Sequence, residues 1–393
     1  PTSMIVGDSG VVIIDTQIDA TMARAVLAEF RKITDKPVSG IILTHGHGDH
    51  TGGAGVFAAA GDNVQIWTRE GFNQESRTLA DAGLTIQQAR GARQGGFLLK
   101  PEQRINNGVA KAYFPKRGGE VFAAEGTDPT HTLSAAREKV SIAGVELDLV
   151  AATGETHDGL YVSYPREGVL FAGDNFYKSW PNLYAIRGTP YRDVLAWVGS
   201  LSSMIEEDPS HLVGGHTRPI LGKKQTIETL TNYRDAIQSV FDQTIAGMNR
   251  GLTPDELVEV VKLPEKFAEL DYLKEYYGNI EWGVRAIFSG YLGWFDGNPT
   301  NLFPLSNKEE ATRLADLAGG RDALLEQAQA SLNKDPQWTA QLCDHLLALD
   351  YKVGEIKHLK ADALERLGSQ LLTATGRNYY FTVAKQLRDS AGN

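Results

Sequence analysis

Thr44-His45-Gly46-His47-Gly48-Asp49-His50-Thr51-Gly52-Gly53 sets three imidazoles and a carboxylate within six residues. Imidazole and carboxylate together suit divalent zinc, manganese or iron. Buried without a metal, such a cluster would leave several polar atoms to satisfy at once. The run before it, Gly40-Ile41-Ile42-Leu43-Thr44, is short, apolar and partly β-branched, and it predicts a buried strand. Gly46 and Gly48 are expected to let a tight loop turn its side chains inward, and Thr51-Gly52-Gly53-Ala54 to open a helix. Ligands on a loop at the end of a buried strand point to an active site rather than to a structural clip.

Working outward, residues 4–16 predict two short strands around Gly7-Asp8-Ser9-Gly10, the second a fully buried run, Val11-Val12-Ile13-Ile14-Asp15-Thr16. Residues 19–33 predict an amphipathic helix with Met22, Ala25, Val26, Phe30 and Ile33 on one face. A helix near 52–60 and a strand at Val64-Gln65-Ile66-Trp67 follow the metal loop. Residues 70–130 read as helical and then irregular, with glycines at 91, 95, 96, 108, 118 and 119. A long insertion of this kind is expected to roof a substrate site. Strands return at 139–152, turned at Gly144, and at 160–165 and 168–172; a helix over 191–207 precedes the strand His211-Leu212-Val213-Gly214. Alternating strands and helices, several strands apolar on both faces, predict an α/β fold: two sheets covered by helices, an αββα sandwich.

The pattern changes near residue 225, beyond which no strand is predicted. Residues 226–249 form one long helical pattern, and Thr253-Pro254-Asp255-Glu256 is a helix start with Thr at the N-cap. The aromatic-rich segment 281–295 reads either as a core helix or as an interface. Helical patterns recur at 308–317, 321–332, 336–349, 354–367 and 370–387, which suggests a solenoid-like array without a clean repeat of about 34 residues. The expected division is therefore a catalytic domain over 1–250 and a helical domain over 251–393.

Composition bounds the chemistry. The 393 residues allow two domains, and the 42% hydrophobic and 22% charged content is that of an ordinary globular chain. A net charge of -10 and a pI of about 5.5 argue against bulk attraction to nucleic acid or anionic lipid. An anionic substrate would need a locally positive site, which metals and arginines would supply. The single cysteine, Cys343, excludes an intrachain disulfide and a multi-cysteine zinc site, and its helical context predicts a buried thiol. No apolar run reaches the roughly 18 residues of a membrane span. No signal peptide is visible, and the sequence starts mid-pattern at Pro1. A periplasmic or secreted location fits if an upstream signal was removed, a cytoplasmic one otherwise.

His45 and His47 would grip one metal and Asp49 and His50 a second, so each ion needs a further ligand and a bridge. Glu155 follows a strand in Thr153-Gly154-Glu155-Thr156-His157-Asp158, with His157 and Asp158 as local competitors. Asp174 ends the apolar run Val169-Leu170-Phe171-Ala172-Gly173, and His216 follows Leu212-Val213-Gly214-Gly215. Three strand ends each deliver a donor. His131, His211, His345 and His358 lack this context and read as structural or surface residues.

The HxHxDH pattern resembles the metallo-β-lactamase-fold hydrolases. The stretch from Gly173 to Asp193 resembles the region after the bridging carboxylate in the alkyl sulfatases of that superfamily. Tyr291-Leu292-Gly293-Trp294-Phe295-Asp296-Gly297-Asn298-Pro299 resembles their helical dimerisation domain, and Arg377-Asn378-Tyr379-Tyr380 that domain's end. Nearly the whole chain is covered. The resemblance implies a metal-dependent hydrolase of alkyl sulfate esters with two zinc ions, other divalent metals being possible. His45, His47 and Glu155 would hold one, and Asp49, His50 and His216 the other. Asp174 would bridge them, Asp49 and Asp174 carrying catalytic roles. Asn182 and Arg187 match the family's sulfate-holding positions, with Arg192 as a further substrate-binding candidate. A homodimer through the helical domain is also implied. Two ions a few ångströms apart lower the pKa of a water between them, so hydrolysis needs no serine or cysteine nucleophile.

Two departures qualify this expectation. Asp174 stands where the well-known alkyl sulfatases carry Glu, and a shorter carboxylate alters metal spacing. The sequence also ends near residue 390, without their sterol-carrier-like third domain. The rival readings are a lactamase, lactonase or phosphodiesterase on the same fold, and a noncatalytic helical-array interaction protein with a decayed hydrolase domain.

Overall fold

In the computed structural model, residues 1–109 and 123–392 are described. Gly118 and Gly119 of the expected roof lie outside the described residues. Five strands form the first sheet in chain order: β1 (Ser3–Val6), β2 (Val11–Ile14), β3 (Val38–Ile42), β4 (Gln65–Arg69) and β5 (His131–Leu133). β1 pairs antiparallel with β2, and the other pairs are parallel. Parallel neighbours need crossovers. These are α1 (Ala20–Phe30) before β3, and α2 (Gly48–Thr51) and α3 (Ala54–Ala58) before β4. Between β4 and β5 lie α4 (Gln74–Asp81) and α5 (Ile86–Gln94).

The second sheet holds β6 (Arg137–Ile142), β7 (Val145–Ala151), β8 (Leu160–Tyr164), β9 (Val169–Gly173), β10 (His211–Gly214) and β11 (Ile220–Leu221), ordered β11-β10-β9-β8-β7-β6. Only β9 and β10 pair parallel, joined through α6 (Val194–Glu206). β6 and β7 turn at Ala143-Gly144, both with positive φ (53° and 85°), the geometry of a tight hairpin.

The continuous apolar run of β2 now has a reason. Val12 and Ile14 face inward with Ile42 and Trp67 against Leu147, Leu149, Val162 and Phe171 of the second sheet. Val11 and Ile13 face outward with Ile41 against Ala23 and Phe57. The outer face of the second sheet packs Tyr161, Leu170 and Leu212 under Trp197 and Leu201 of α6 and under Leu230, Tyr233 and Ile237 of α7 (Lys223–Asn249). Helices thus cover both sheets, as the αββα sandwich requires.

Some local expectations are corrected. α1 ends at Phe30, its buried residues are Ala20 and Ala23, and Ile33, beyond the helix end, is 70% exposed. Ala25 is exposed as well, so the apolar stripe runs through Ala23, Val26, Leu27 and Phe30. The helix near 52–60 divides into α2 and α3 at Gly52-Gly53. β5 and β11, three and two residues long, are too short to show alternation in the sequence.

Beyond α7 come α8 (Pro254–Val260), α9 (Glu265–Ala268) and α10 (Ile280–Leu292). Thr253 caps α8 in a reciprocal box with Glu256. Leu257, Val258, Ile287 and Phe288 join the same core as α6 and α7. The aromatic segment therefore divides: Val284, Ile287 and Phe288 are buried, while Tyr291, Leu292 and Trp294 are exposed. α11 (Asn307–Ala318), α12 (Arg321–Ser331), α13 (Pro336–Ala348), α14 (Val353–Gln370) and α15 (Ala374–Ala391) follow, sequential helices packing on one another. Cys343 is buried among them. Among the described residues no helix is long and apolar enough to cross a membrane.

Candidate metal centre and substrate pocket

β3 stops at Ile42, and the loop after it carries His45 and His47 before the single turn of α2 takes up Asp49 and His50. The expected role of small residues here holds for Gly46 and is corrected for Gly48. Neither has a positive φ, and a Cβ at Gly48 would meet open space. Gly46 is required by close approach, since a Cβ there would press on Asn73 and lie 2.8 Å from Asp158 Oδ2. The second sheet supplies the other donors. Asp174 follows β9, and His216 follows β10 in a left-handed conformation (φ 55°), backbone strain of the kind held at functional sites. A Cβ on Gly215 would overlap Asp174 Oδ1, so only glycine fits between them.

Glu155 lies on the loop after β7. Arg69 of β4 grips that loop, Nη1 donating to Thr153 Oγ1 (3.0 Å), His157 O (2.7 Å) and Gly159 O (3.0 Å). Asn175 Oδ1 accepts from the Glu155 amide at 3.2 Å, while its own amide donates to Ala152 O at 2.9 Å. His157 is exposed and takes no place in the cluster, and Asp158 Oδ2 instead accepts from Asn73 N at 2.9 Å.

Two donor sets result. Ligand atoms of His45, His47, Glu155 and Asp174 lie within 4.8 Å of one another, as do those of Asp49, His50, Asp174 and His216. Asp174 belongs to both. Its Oδ1 is 3.2 Å from His50 Nε2 and its Oδ2 is 3.2 Å from His216 Nε2, while Asp49 Oδ2 is 3.1 Å from His216 Nε2. His45 Nε2 lies 3.0 Å from His47 Nδ1, and His50 Nε2 lies 3.3 Å from His216 Nε2. Asp174 Oδ1 is buried and accepts no aligned hydrogen bond. Converging imidazole nitrogens beside an orphaned carboxylate oxygen fit a divalent metal.

Asp15 fixes the orientation of this cluster. Its carboxylate accepts from Thr44 N (2.8 Å) and Thr44 Oγ1 (2.9 Å), and from His50 Nδ1 at 2.7 Å. The bond occupies His50 Nδ1 and turns Nε2 toward the donors, an outer-shell arrangement typical of metal histidines. Thr44 Oγ1 also sits 3.1 Å from His45 Nδ1, which likewise leaves Nε2 facing inward.

The electrostatics divide the candidate ligands. Burial, with His50 nearby, pulls His45 down to about 4, and burial with His45 holds His47 well below the usual histidine range. Burial also opposes charge on His50 and His216, but Asp174 and its neighbouring carboxylates outweigh it. They hold His50 well above the ordinary value and His216 up at about 9. Burial likewise works against charge on Asp49 and Asp174, yet the histidines keep both well below the carboxylate range. Burial pushes Glu155 up to about 7 against the pull of Arg192.

Both sets open on a cavity of about 830 Å³ that Asn182, Arg187, Arg192, Gln94 and Tyr277 also line. Arg187 Nη2 is 3.1 Å from His47 Nε2, so its guanidinium stands at the first donor set. The expected substrate role of Arg192 meets a different geometry. This buried side chain donates from Nη1 to Glu155 Oε1 (2.6 Å) and to Asn182 O (2.5 Å), so it orients one ligand and the Asn182 backbone. The other histidines stand apart: His131 is exposed and stacks on Trp67, and His211 Nδ1 accepts from Gly222 N at 3.2 Å.

Sequence reasoning missed Asp15, Arg69, Gln94 and Tyr277. Asp15 carried a signal, an acid directly after a fully buried apolar strand, the same signature that singled out Asp174. Arg69, Gln94 and Tyr277 carried none, because they reach the site only through distant packing.

An αββα sandwich with donors converging from the strand ends of both sheets defines a metallo-β-lactamase-fold metalloenzyme. Residues 1–216 match the metallo-beta-lactamase superfamily model, and residues 253–390 match that of alkyl sulfatase dimerisation. The chain is 35% identical over 391 residues to a linear primary-alkylsulfatase of Pseudomonas sp. (strain ATCC 19151), covering 98% of this chain and 73% of that protein. It is 32% identical to an (R)-specific secondary-alkylsulfatase of Pseudomonas sp., covering 98% of this chain and 59% of that protein. The solved stereoselective inverting sec-alkylsulfatase Pisa1 from Pseudomonas sp. superposes with a TM-score of 0.90 at 31% identity, over 98% of this chain and 62% of that one. The chain thus spans about three fifths to three quarters of the length of these relatives. It belongs to the alkyl sulfatase family.

Proposed function

We propose that this protein hydrolyses alkyl sulfate esters to alcohol and inorganic sulfate at a dinuclear zinc site. One observation carries the reading: two donor sets sharing Asp174 open on a cavity whose wall presents Arg187 3.1 Å from His47 Nε2. His45, His47 and Glu155 would hold one ion, Asp49, His50 and His216 the other, and Asp174 both. A divalent pair there supplies Lewis acidity and lowers the pKa of water. Arg187 contributes a planar fork and Asn182 an amide donor, a combination suited to a tetrahedral oxyanion. Asp15 holds His50 in orientation, and Arg192 holds Glu155 together with the backbone that carries Asn182. Asp49, partly exposed at the cavity, keeps an acceptor facing the reacting centre. A division at residue 250 would keep every one of these side chains in the catalytic unit, with residues 251–393 as the helical unit, whose α8 and α10 pack into the core of α6 and α7.

The test is sulfate release from dodecyl sulfate and from a shorter alkyl sulfate, with and without chelator. Nitrocefin, a lactone and a phosphodiester run in parallel. Chelator-sensitive release of sulfate is expected, with two zinc ions per chain by elemental analysis. Two bound metals without sulfate release would retain the hydrolase site and discard this substrate class.

A homodimer through the helical unit belongs to the same proposal. It is supported by the match to the dimerisation family model and by large apolar side chains left in water, Trp294 at 74%, Phe303 at 93% and Leu317 at 86% exposure. Light scattering should give twice the 42.8 kDa chain mass; a particle of 42.8 kDa overturns the dimer.

A further inference from the structure

One face of α5 grips the loop that carries Arg187. Gln87, Arg90 and Gln94 recur at i, i+3 and i+7, so they share that face. Gln87 Nε2 donates to Gly188 O at 3.3 Å and Arg90 Nη2 donates to Ile186 O at 2.6 Å. Gln94 Oε1 accepts from the Arg187 backbone N–H at 3.0 Å. Three successive backbone positions, 186 to 188, are thereby tied to one helix. Gly91 lies on the same face, and a Cβ there would make ordinary contact with Arg187 Cδ at 3.8 Å, so the Arg187 stem runs alongside the helix.

Nothing in α5 explains why it should be a firm clamp. It has nine residues, Gln94 is its only buried one, and isolated helices shorter than about 12 residues are marginal. Its firmness comes from α15, at the far end of the sequence. Arg93 Nε donates to Gln386 Oε1 at 3.0 Å, and the Arg93 guanidinium lies 5.8 Å from the Tyr379 ring centroid. Asn378 Nδ2 donates to Gln94 O at 3.3 Å, bonding the same residue that holds Arg187.

We infer that α5 is the positioning element for Arg187, that Gln94 is its central contact, and that the helical unit tunes sulfate affinity through α15. The inference rests on Arg187 being a sulfate ligand. A helix that merely filled space beside the pocket would not place three side-chain bonds on consecutive backbone groups of one loop. Because the clamp acts on the binding group and touches no metal donor, its loss weakens binding of the sulfate group and spares turnover.

The experiment is a cycle of Gln94→Met, Arg187→Ala and the double variant. KM and kcat are read with dodecyl sulfate, and the dissociation constant of inorganic sulfate by calorimetry on the metal-loaded protein. Gln94→Met removes the acceptor and keeps the length. It should raise KM and the sulfate dissociation constant about five- to tenfold, the worth of one hydrogen bond, with kcat and metal content nearly unchanged. In the Arg187→Ala background it should add nothing further. If Arg187→Ala leaves sulfate binding intact, the assignment of Arg187 fails. If Arg187→Ala weakens binding but Gln94→Met does not, or if Gln94→Met lowers kcat and metal content together, the positioning role is overturned. Should Gln94→Met fold poorly, Gln87→Leu and Arg93→Met on part-exposed positions probe the same clamp and its support. Each should raise KM in the same sense, and unchanged KM in both overturns the inference.

Discussion

Asp174→Asn is expected to strip metal from both donor sets and to lower sulfate release about a thousandfold. The amide keeps the size of the side chain, so packing at the end of β9 is preserved. What disappears is the shared charge. Asp174 lies in both sets, and its two oxygens stand 3.2 Å from His50 Nε2 and from His216 Nε2. Outer-shell changes at metal sites cost about ten- to a hundredfold, and a side chain belonging to both sets should cost more than either. Elemental analysis beside the sulfate assay checks this. Retention of two metals and of full activity would remove Asp174 from its central place.

The second large effect is on stability. At pH 9, above the value of about 7 at which burial already holds Glu155, Arg192→Met should destabilise the metal-free protein by about 3–5 kcal/mol, because it strands a buried carboxylate; near neutrality Glu155 takes up a proton and the loss is smaller. Glu155 and Arg192 are 4% and 3% exposed, and their ion pair is 2.6 Å long. A surface pair would be worth little; these two side chains are almost wholly buried. The companion change Glu155→Gln should recover most of the loss, since the penalty comes from the unpaired charge rather than from the missing contact. Denaturant titration of the chelated variants reads both numbers. Equal stability of Arg192→Met and the parent protein would show that Glu155 is neutralised in some other way.

The cluster of candidate metal donors was legible in the sequence for a physical reason. Four donors fall in one loop, and Glu155, Asp174 and His216 each follow a strand and a glycine, so local pattern is enough. The sandwich was legible from the same source, because continuous apolar strands such as β2 need cover on both faces. Local pattern failed where the controlling contact is remote. Gln94 meets Arg187 across 93 positions, and Thr375 Oγ1 holds the Tyr277 carbonyl across 98. The contacts of Arg192 with Glu155 and the Asn182 carbonyl were not legible in the sequence, since an arginine lining an anion site and an arginine paired with a buried carboxylate look alike until the fold brings Glu155 beside it. The apolar stripe of α1 was carried past its end to Ile33 because periodicity says little about where a helix stops.

The reach of α15 back to α5 has a consequence for how the protein is made. Asn378 and the Gln94 carbonyl that it holds are 284 positions apart in the chain. At the roughly 5–20 residues per second of synthesis, about 15 to 60 s separate the emergence of the two. During that interval the metal loop and its partner strands have left the ribosome, but the arginine cradle still lacks its brace. A nascent chain would therefore acquire the capacity to hold metal well before the capacity to grip an ester, and the order in which the two arise is written into the topology.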